Sequence, residues 1–347
     1  MELYKIVTIN QSELWDNIVK SFKNYDVSYL NGYAKAFQIH GDGEPFLFYY
    51  NDGRTRAINV VMKRDIAKSK NFKDKLPLNT WYDLSTPYGY GGFWIEGEGY
   101  EKVNIAYDLF CKENGFISEF VRFNLFSNYR LHYNGSTETH TKNVVRTLEL
   151  PLDEMMMDFE HKVRKNLKKA NQAELQVEID STGSRLDDFL DVYYGTMNRT
   201  SAKNDYFFSK DFFKMLNEIE SNYVYVHILY ESKVISTELV LFGTENCYSF
   251  LGGTNQDYFY LRPNDLLKYE IIKWAKGKGL KRFVLGGGYG SDDGIFRYKK
   301  SFAPSGLYDF YIGKKIFDEE KYEELLKMRG NEVIPTSDAF FPRYRAI

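Results

Sequence analysis

The chain is short of the residues on which several large protein classes depend. Its two cysteines, Cys111 and Cys247, stand far apart and in no CxxC pair, which excludes a disulfide framework and leaves no zinc pattern. Five histidines occur in no HxxxH or HExxH arrangement, so no metal is expected. Only 8 of the 347 residues are proline while 43% are hydrophobic, which excludes a disordered or low-complexity chain. No apolar run approaches the roughly 18 residues of a membrane span. The opening Met1-Glu2-Leu3-Tyr4-Lys5 lacks the pattern of a signal peptide. The expectation is a cytoplasmic protein with reduced thiols and no integral membrane segment. Lysine and arginine number 46 against 48 aspartates and glutamates, a net charge of −2. That balance excludes a surface that is basic throughout and gives no reason to expect a DNA partner, yet it leaves room for a local basic patch.

What the chain does have is aromatic residues, 17% of the total, which favour strands and supply flat surfaces for packing or stacking. A length of 347 residues predicts two domains, and the chain repeats one plan. Pro45 to Tyr50 and Ala57 to Met62 flank an Asn51-Asp52-Gly53 turn and read as a hairpin. A helix is expected from Val103 to Glu113, ended by Asn114-Gly115, then a strand from Ile117 to Phe126. In the second half, Tyr223 to Tyr230 turns at Glu231-Ser232-Lys233 into Val234 to Phe242, and Cys247 to Leu251 adds a third strand. A helix follows from Asn264 to Lys276, closed by Gly277 and Gly279, and then the buried strand Phe283-Val284-Leu285. This is a duplicated α/β unit with mixed sheets. The join is expected near Leu148 to Asp153, giving domains 1–150 and 151–347.

Five segments carry candidate chemistry. Phe159, Val163, Leu167 and Ala170 form one face of a helix whose other face holds Lys162, Arg164, Lys165, Lys168 and Lys169. Such a face holds phosphates, of a diphosphate or an RNA backbone, or is simply solvated. Gly286-Gly287-Gly288-Tyr289-Gly290 follows a buried strand, where glycines let a ligand approach backbone or form a tight turn. Asp292-Asp293-Gly294 is too short for a calcium loop and reads as a turn. Phe296 to Phe302 alternates aromatic and cationic residues, including Tyr298 and Lys299, which suits a phosphate beside a base or a helix with snorkelling lysines. Asp83 to Gly92, with Tyr88 and Tyr90, fits the floor of a small-molecule cleft or a packed turn. Glu238 lies in a mostly apolar strand, as a general base or on a solvent face. There is no Gly-x-Ser-x-Gly elbow and no metal-ligand set, which points to direct reaction of two bound substrates held in position.

In their order along the chain, two of these segments and the helix after the central strand resemble the FemABX group of aminoacyltransferases within the GNAT superfamily. Lys162 to Ala170 resembles the basic helix that opens the group's second unit. Pro263-Asn264-Asp265-Leu266-Leu267-Lys268-Tyr269-Glu270 resembles the helix after the central strand. Tyr298-Lys299-Lys300-Ser301-Phe302-Ala303 resembles the Phe-Lys-x-x-Phe-Gly element, with Tyr298 in place of phenylalanine and Ala303 in place of glycine. The coiled-coil arm of some members is absent. The usual acetyl-CoA loop, Arg/Gln-x-x-Gly-x-Gly/Ala, has Leu261-Arg262-Pro263-Asn264-Asp265-Leu266 in its place, without glycine.

The resemblance implies two GNAT-like domains, each a mixed, mostly antiparallel sheet flanked by helices, that transfer an acyl or aminoacyl group to an amine of a cell-envelope precursor. It places Lys299 at the donor carbonyl or phosphate, with Tyr298 beside it. The expected catalytic residues are Lys299 and Glu238. The expected substrate and donor contacts are Tyr298, Lys162, Arg164, Lys165, Gly287, Gly288, Asn264, Tyr88 and Tyr90. Aminoacyl-tRNA is the expected donor, and acyl-CoA the alternative, in envelope or capsule polysaccharide synthesis. The acceptor is a small molecule or peptide carrying an amine. A non-catalytic module that binds a nucleotide-sugar or peptide is the competing class.

Overall fold

The computed structural model describes residues 3–219, 221–288, 293–330 and 340–346. The chain begins with β1 (Tyr4–Thr8), α1 (Ser12–Lys20) and α2 (Asn31–His40), then a hairpin of β2 (Glu44–Asn51) and β3 (Arg56–Asp65). β4 (Tyr82–Ser85), β5 (Trp94–Glu96), α3 (Tyr100–Glu113) and β6 (Phe116–Arg122) follow. The first hairpin is fixed by its turn. Asp52 Oδ1 accepts from the N–H groups of Arg54 and Thr55 at 2.9 and 2.7 Å, and Gly53 takes the left-handed φ of +84° that a side chain would resist. α3 covers the expected helix, and β6 then lies parallel to β4, the arrangement a helical crossover allows. β6 stops four residues short of the expected end because Asn124 turns the chain, its Oδ1 accepting from Phe126 N–H at 2.9 Å.

Next come β7 (Ser136–Thr147), α4 (Leu152–Asp158), α5 (His161–Gln172), β8 (Gln176–Asp180), α6 (Leu186–Arg199) and α7 (Lys210–Asn217). β9 (Tyr223–Tyr230) and β10 (Lys233–Phe242) form the second expected hairpin, turned by Glu231 and Ser232 at φ of +49° and +64°, as a two-residue connection requires. β11 (Asn246–Thr254), α8 (Pro263–Gly277), β12 (Arg282–Gly286), α9 (Gly294–Lys300), β13 (Leu307–Ile316) and α10 (Glu319–Arg329) complete the order.

Two compact units result, Met1–His140 with Phe310–Ile347, and Thr141–Asp309. The sheet of the first runs β1-β2-β3-β4-β6-β13, and that of the second β8-β9-β10-β11-β12-β7. The same order in both is the duplication expected from the sequence. The division differs from the expected 1–150 and 151–347. Ile312–Ile316 of β13 pairs with β6 in the first unit, and Val144–Thr147 of β7 pairs with β12 in the second. Each sheet thus takes its last strand from chain that sequence order assigns to the other half. An alternating apolar pattern marks a strand but does not say which sheet edge it joins.

Each unit has its own core. In the first, aromatic residues pack edge to face: Phe48 meets Phe93 at 5.8 Å and Tyr107 at 5.0 Å between ring centres. In the second, Val163, Leu167 and Ala170 of α5 bury the expected apolar stripe against Leu267 and Ile271 of α8 and Phe283 of β12. Cys111 and Cys247 are free and buried. Among the described residues no helix is long and apolar enough to cross a membrane.

Candidate active site

β10 carries Glu238 into the second unit at 4% exposure. A carboxylate there requires a partner, and α8 supplies it. Lys268, also buried, pairs with Glu238 Oε2 and donates to Ser249 Oγ of β11 at 2.8 Å. Glu238 Oε1 is buried and has no hydrogen-bond partner among the described residues. Beside this pair the sheet opens. β11 is in register with β12 only over Asn246–Tyr248, against Arg282–Val284, and then continues to Thr254 paired with β10 alone.

α9 closes the site from the carboxyl end of β12. Asp293 caps it, with Oδ1 accepting from Phe296 N–H at 2.7 Å. Phe296 and Phe302 anchor it in the core, so Tyr298 and Lys299 are held in place. Lys299 Nζ donates to Gly287 O at 2.6 Å. Burial, reinforced by the like charge of Lys268, pulls the Lys299 ammonium down to about 8, with Glu238 and Asp293 opposing. Tyr298 packs edge-on against Phe302 at 5.4 Å, and its hydroxyl is buried without a hydrogen-bond partner among the described residues. Burial, with the charges of Asp265 and Glu238, pushes its phenol well up.

The first turn of α8 adds Asp265, 7% exposed, whose Oδ1 accepts from Asn166 Nδ2 of α5 at 3.2 Å. Burial raises the Asp265 carboxyl, while Asn166, Arg262 and Lys162 hold it down. The amino end of α8 follows Arg262, a left-handed residue at φ +63°, with Pro263 in its first turn and no side-chain cap.

The structure thus brings Glu238, Tyr298, Lys299 and Gly287 into one neighbourhood. Lys162 sits close enough for its charge to bear on Asp265, while Lys165 is exposed on the same helix. The Arg164 guanidinium turns back, its Nη1 donating to the carbonyls of Met157, at 2.9 Å, and Phe159, so this nitrogen closes the α4–α5 corner. Gly288 packs against Asp293, whose carboxylate lies 2.5 Å from where a Cβ would stand. Its smallness therefore makes room for that carboxylate. Asn264 lies half-buried in the first turn of α8. Tyr88 and Tyr90 belong to the first unit, where Tyr90 stacks edge-on to Phe310 at 5.5 Å. Tyr289, Gly290 and Asp292 lie outside the described residues.

Sequence reasoning missed Lys268, Asp265, Asn166 and Ser249. Glu238 was expected as a general base in a mostly apolar strand or on a solvent face, and the structure puts a buried ammonium beside it. The one available signal was Lys268 itself, at the edge of the apolar stripe formed by Leu267, Ile271 and Ile272.

Residues 157–300 match the Acetyltransferase (GNAT) domain family. No curated protein sequence matches the chain. Among solved structures, FemX is similar over 93% of this chain and 99% of its own, with a TM-score of 0.70 and 15% identity. The structure of L-PGS from Bacillus licheniformis is similar over 91% of this chain and 96% of its own, with a TM-score of 0.55 and 12% identity. The C-terminal domain of a putative lysylphosphatidylglycerol synthetase from Agrobacterium fabrum is similar over 91% and 94%, with a TM-score of 0.56 and 11% identity. That family match falls within the second unit, which contains the half-buried Lys299 and the buried Glu238. The chain as a whole has a FemX-like fold.

Proposed function

We propose that the protein transfers an aminoacyl group from charged tRNA to an amine of a cell-envelope precursor, with Lys299 and Glu238 as the catalytic residues. The observation that carries this reading is a cationic Lys299 at a strand end, held to Gly287 O, beside a carboxylate with one buried oxygen still unpaired. The acceptor nitrogen attacks the ester carbonyl carbon. Lys299 stabilises the oxygen that becomes negative. Glu238, or a water it holds, takes the proton from nitrogen. The tetrahedral intermediate collapses, the carbon–oxygen bond to the ribose breaks, and the hydroxyl leaves with a proton. Lys162 and Lys165 on the exposed face of α5 attract the polyanionic donor. The likeness to structures named for lysylphosphatidylglycerol synthesis and to FemX supports this class of reading.

A second reading, acyl-CoA as donor, is favoured by the β11 edge beyond Tyr248, which no strand covers on the β12 side among the described residues. An extended amide-bearing arm can add hydrogen bonds to such an edge. Binding of the purified protein to charged tRNA and to acetyl-CoA, each at two salt concentrations, separates the two. Salt-sensitive tRNA binding without saturable acetyl-CoA binding is expected. The reverse result replaces the donor.

A further inference from the structure

One face of the first unit gathers arginine side chains around a buried carboxylate. Asp83 of β4 is fully buried and takes two arginines, Arg64 Nε at 2.7 Å and Arg345 Nε at 2.6 Å, with the Tyr344 hydroxyl donating at 2.8 Å. Burial works against this carboxylate, but the two arginines hold it below the usual range and so ionised. Two cations thus share one anion, and Nη2 of both Arg64 and Arg345 is buried without a hydrogen-bond partner among the described residues.

Ser85 lies two residues along β4, on the same face as Asp83. Arg122, the last residue of β6, reaches it. Its Nη1 is 3.4 Å from both Ser85 Oγ and Thr86 O, long for a charged donor. Its hydrogen bonds go to Ser85 and Thr86, and the Asp42 carboxylate bears on it through its charge. Its guanidinium lies over the Phe120 ring at 4.9 Å. Burial and the like charge of Arg64 both work against its protonated form, and the Asp42 carboxylate favours it. A half-buried guanidinium held only by two long hydrogen bonds, with another guanidinium nearby, is an arrangement that an incoming anion relieves. The planar fork of arginine matches phosphoryl and carboxylate oxygens.

Next to it is the aromatic and glycine loop that the sequence reads as a cleft floor or a packed turn, its Gly91 N–H donating to Arg122 O at 2.7 Å. Tyr88 is 42% exposed, and the Tyr33 hydroxyl holds its carbonyl at 2.6 Å. Gly89 follows at φ +95°, where a Cβ would stand 2.9 Å from that hydroxyl.

We infer that Arg122, supported by Arg64 and Ser85, forms an oxyanion-binding site in the first unit for the phosphoryl or carboxylate group of a small molecule. The site is independent of the acyl-transfer chemistry, and so is its test. The full-length protein is titrated calorimetrically at low salt with pyrophosphate and, separately, with succinate. Wild type is compared with Arg122→Gln and Arg122→Lys, and Arg64 is left intact because it holds Asp83. Binding of pyrophosphate identifies a phosphoryl ligand, and binding of succinate a carboxylate. In either case Arg122→Gln should weaken it by about ten- to a hundredfold. Arg122→Lys, which keeps the charge and loses the fork, should fall between. Thermal melts without ligand establish that each variant is folded, and the lysine variant keeps the test decisive if the glutamine variant is not. Binding undiminished in a folded variant puts the anion elsewhere and overturns the inference, as does no binding of either anion.

Discussion

Lys299 and Glu119 show how burial sets the behaviour of single groups. Lys299 stays cationic up to about pH 8, so turnover by the proposed route should decline as pH rises through that value. Lys299→Ala should lower kcat by about 10²–10³-fold. Its thermal melting temperature should hold or rise, because a buried ammonium with a depressed pKa works against the folded state below about pH 8 and the penalty fades toward 10.5. Unchanged turnover in that variant removes Lys299 from the mechanism. Glu119 is the converse case in the first unit. It is 1% exposed and accepts from the Tyr107 hydroxyl at 2.7 Å, and burial pushes its carboxyl from 4.5 up to about 7. Between those values the unfolded chain releases a proton that the folded chain keeps, so its contribution to stability falls as pH rises through the window. Melting temperatures recorded from about pH 5 to 8 should fall less steeply for Glu119→Gln than for wild type. Neither shift was visible in the sequence, since each depends on neighbours brought in from other elements.

The elements themselves were easier to read. Both hairpins announced themselves through turn residues between aromatic and β-branched runs, and α3, α5 and α8 through helical spacing of apolar positions. What spacing left open was the use of the polar face. Five cations on α5 looked alike in sequence, yet Arg164 is bonded to carbonyls and Lys165 is exposed. Their variants should therefore part company. Arg164→Ala should cost about 1–3 kcal/mol of stability with little change in the salt dependence of tRNA binding. Lys165→Ala should leave stability unchanged and reduce the slope of log affinity against log salt by roughly one. Leu167→Ala, which opens a cavity under the same helix, should cost about 2–5 kcal/mol in a denaturant titration. The partners of Glu238 escaped notice for a related reason. Lys268 adjoins an apolar stripe, and a lysine there reads as solvated until α8 is laid on β10.

At the scale of the molecule, the duplication was legible and the division was not, because the strand that completes each sheet is borrowed across the sequence midpoint. A fragment 151–347 lacks Val144–Thr147, the residues that flank β12. It also lacks Arg146, a buried residue paired with Asp158 and donating to Phe302 O at 3.2 Å. Such a fragment should show no cooperative thermal transition by circular dichroism, whereas the intact chain should. The borrowed strands also bear on the order of events during translation. Polypeptide emerges amino end first, at about 5–20 residues per second, and the first unit waits for β13 to pair with β6 and for Tyr344 to reach Ser118 and Asp83. From the emergence of β6 until that of β13 the nascent chain therefore presents an unfinished first sheet, exposed to chaperones and to mispairing.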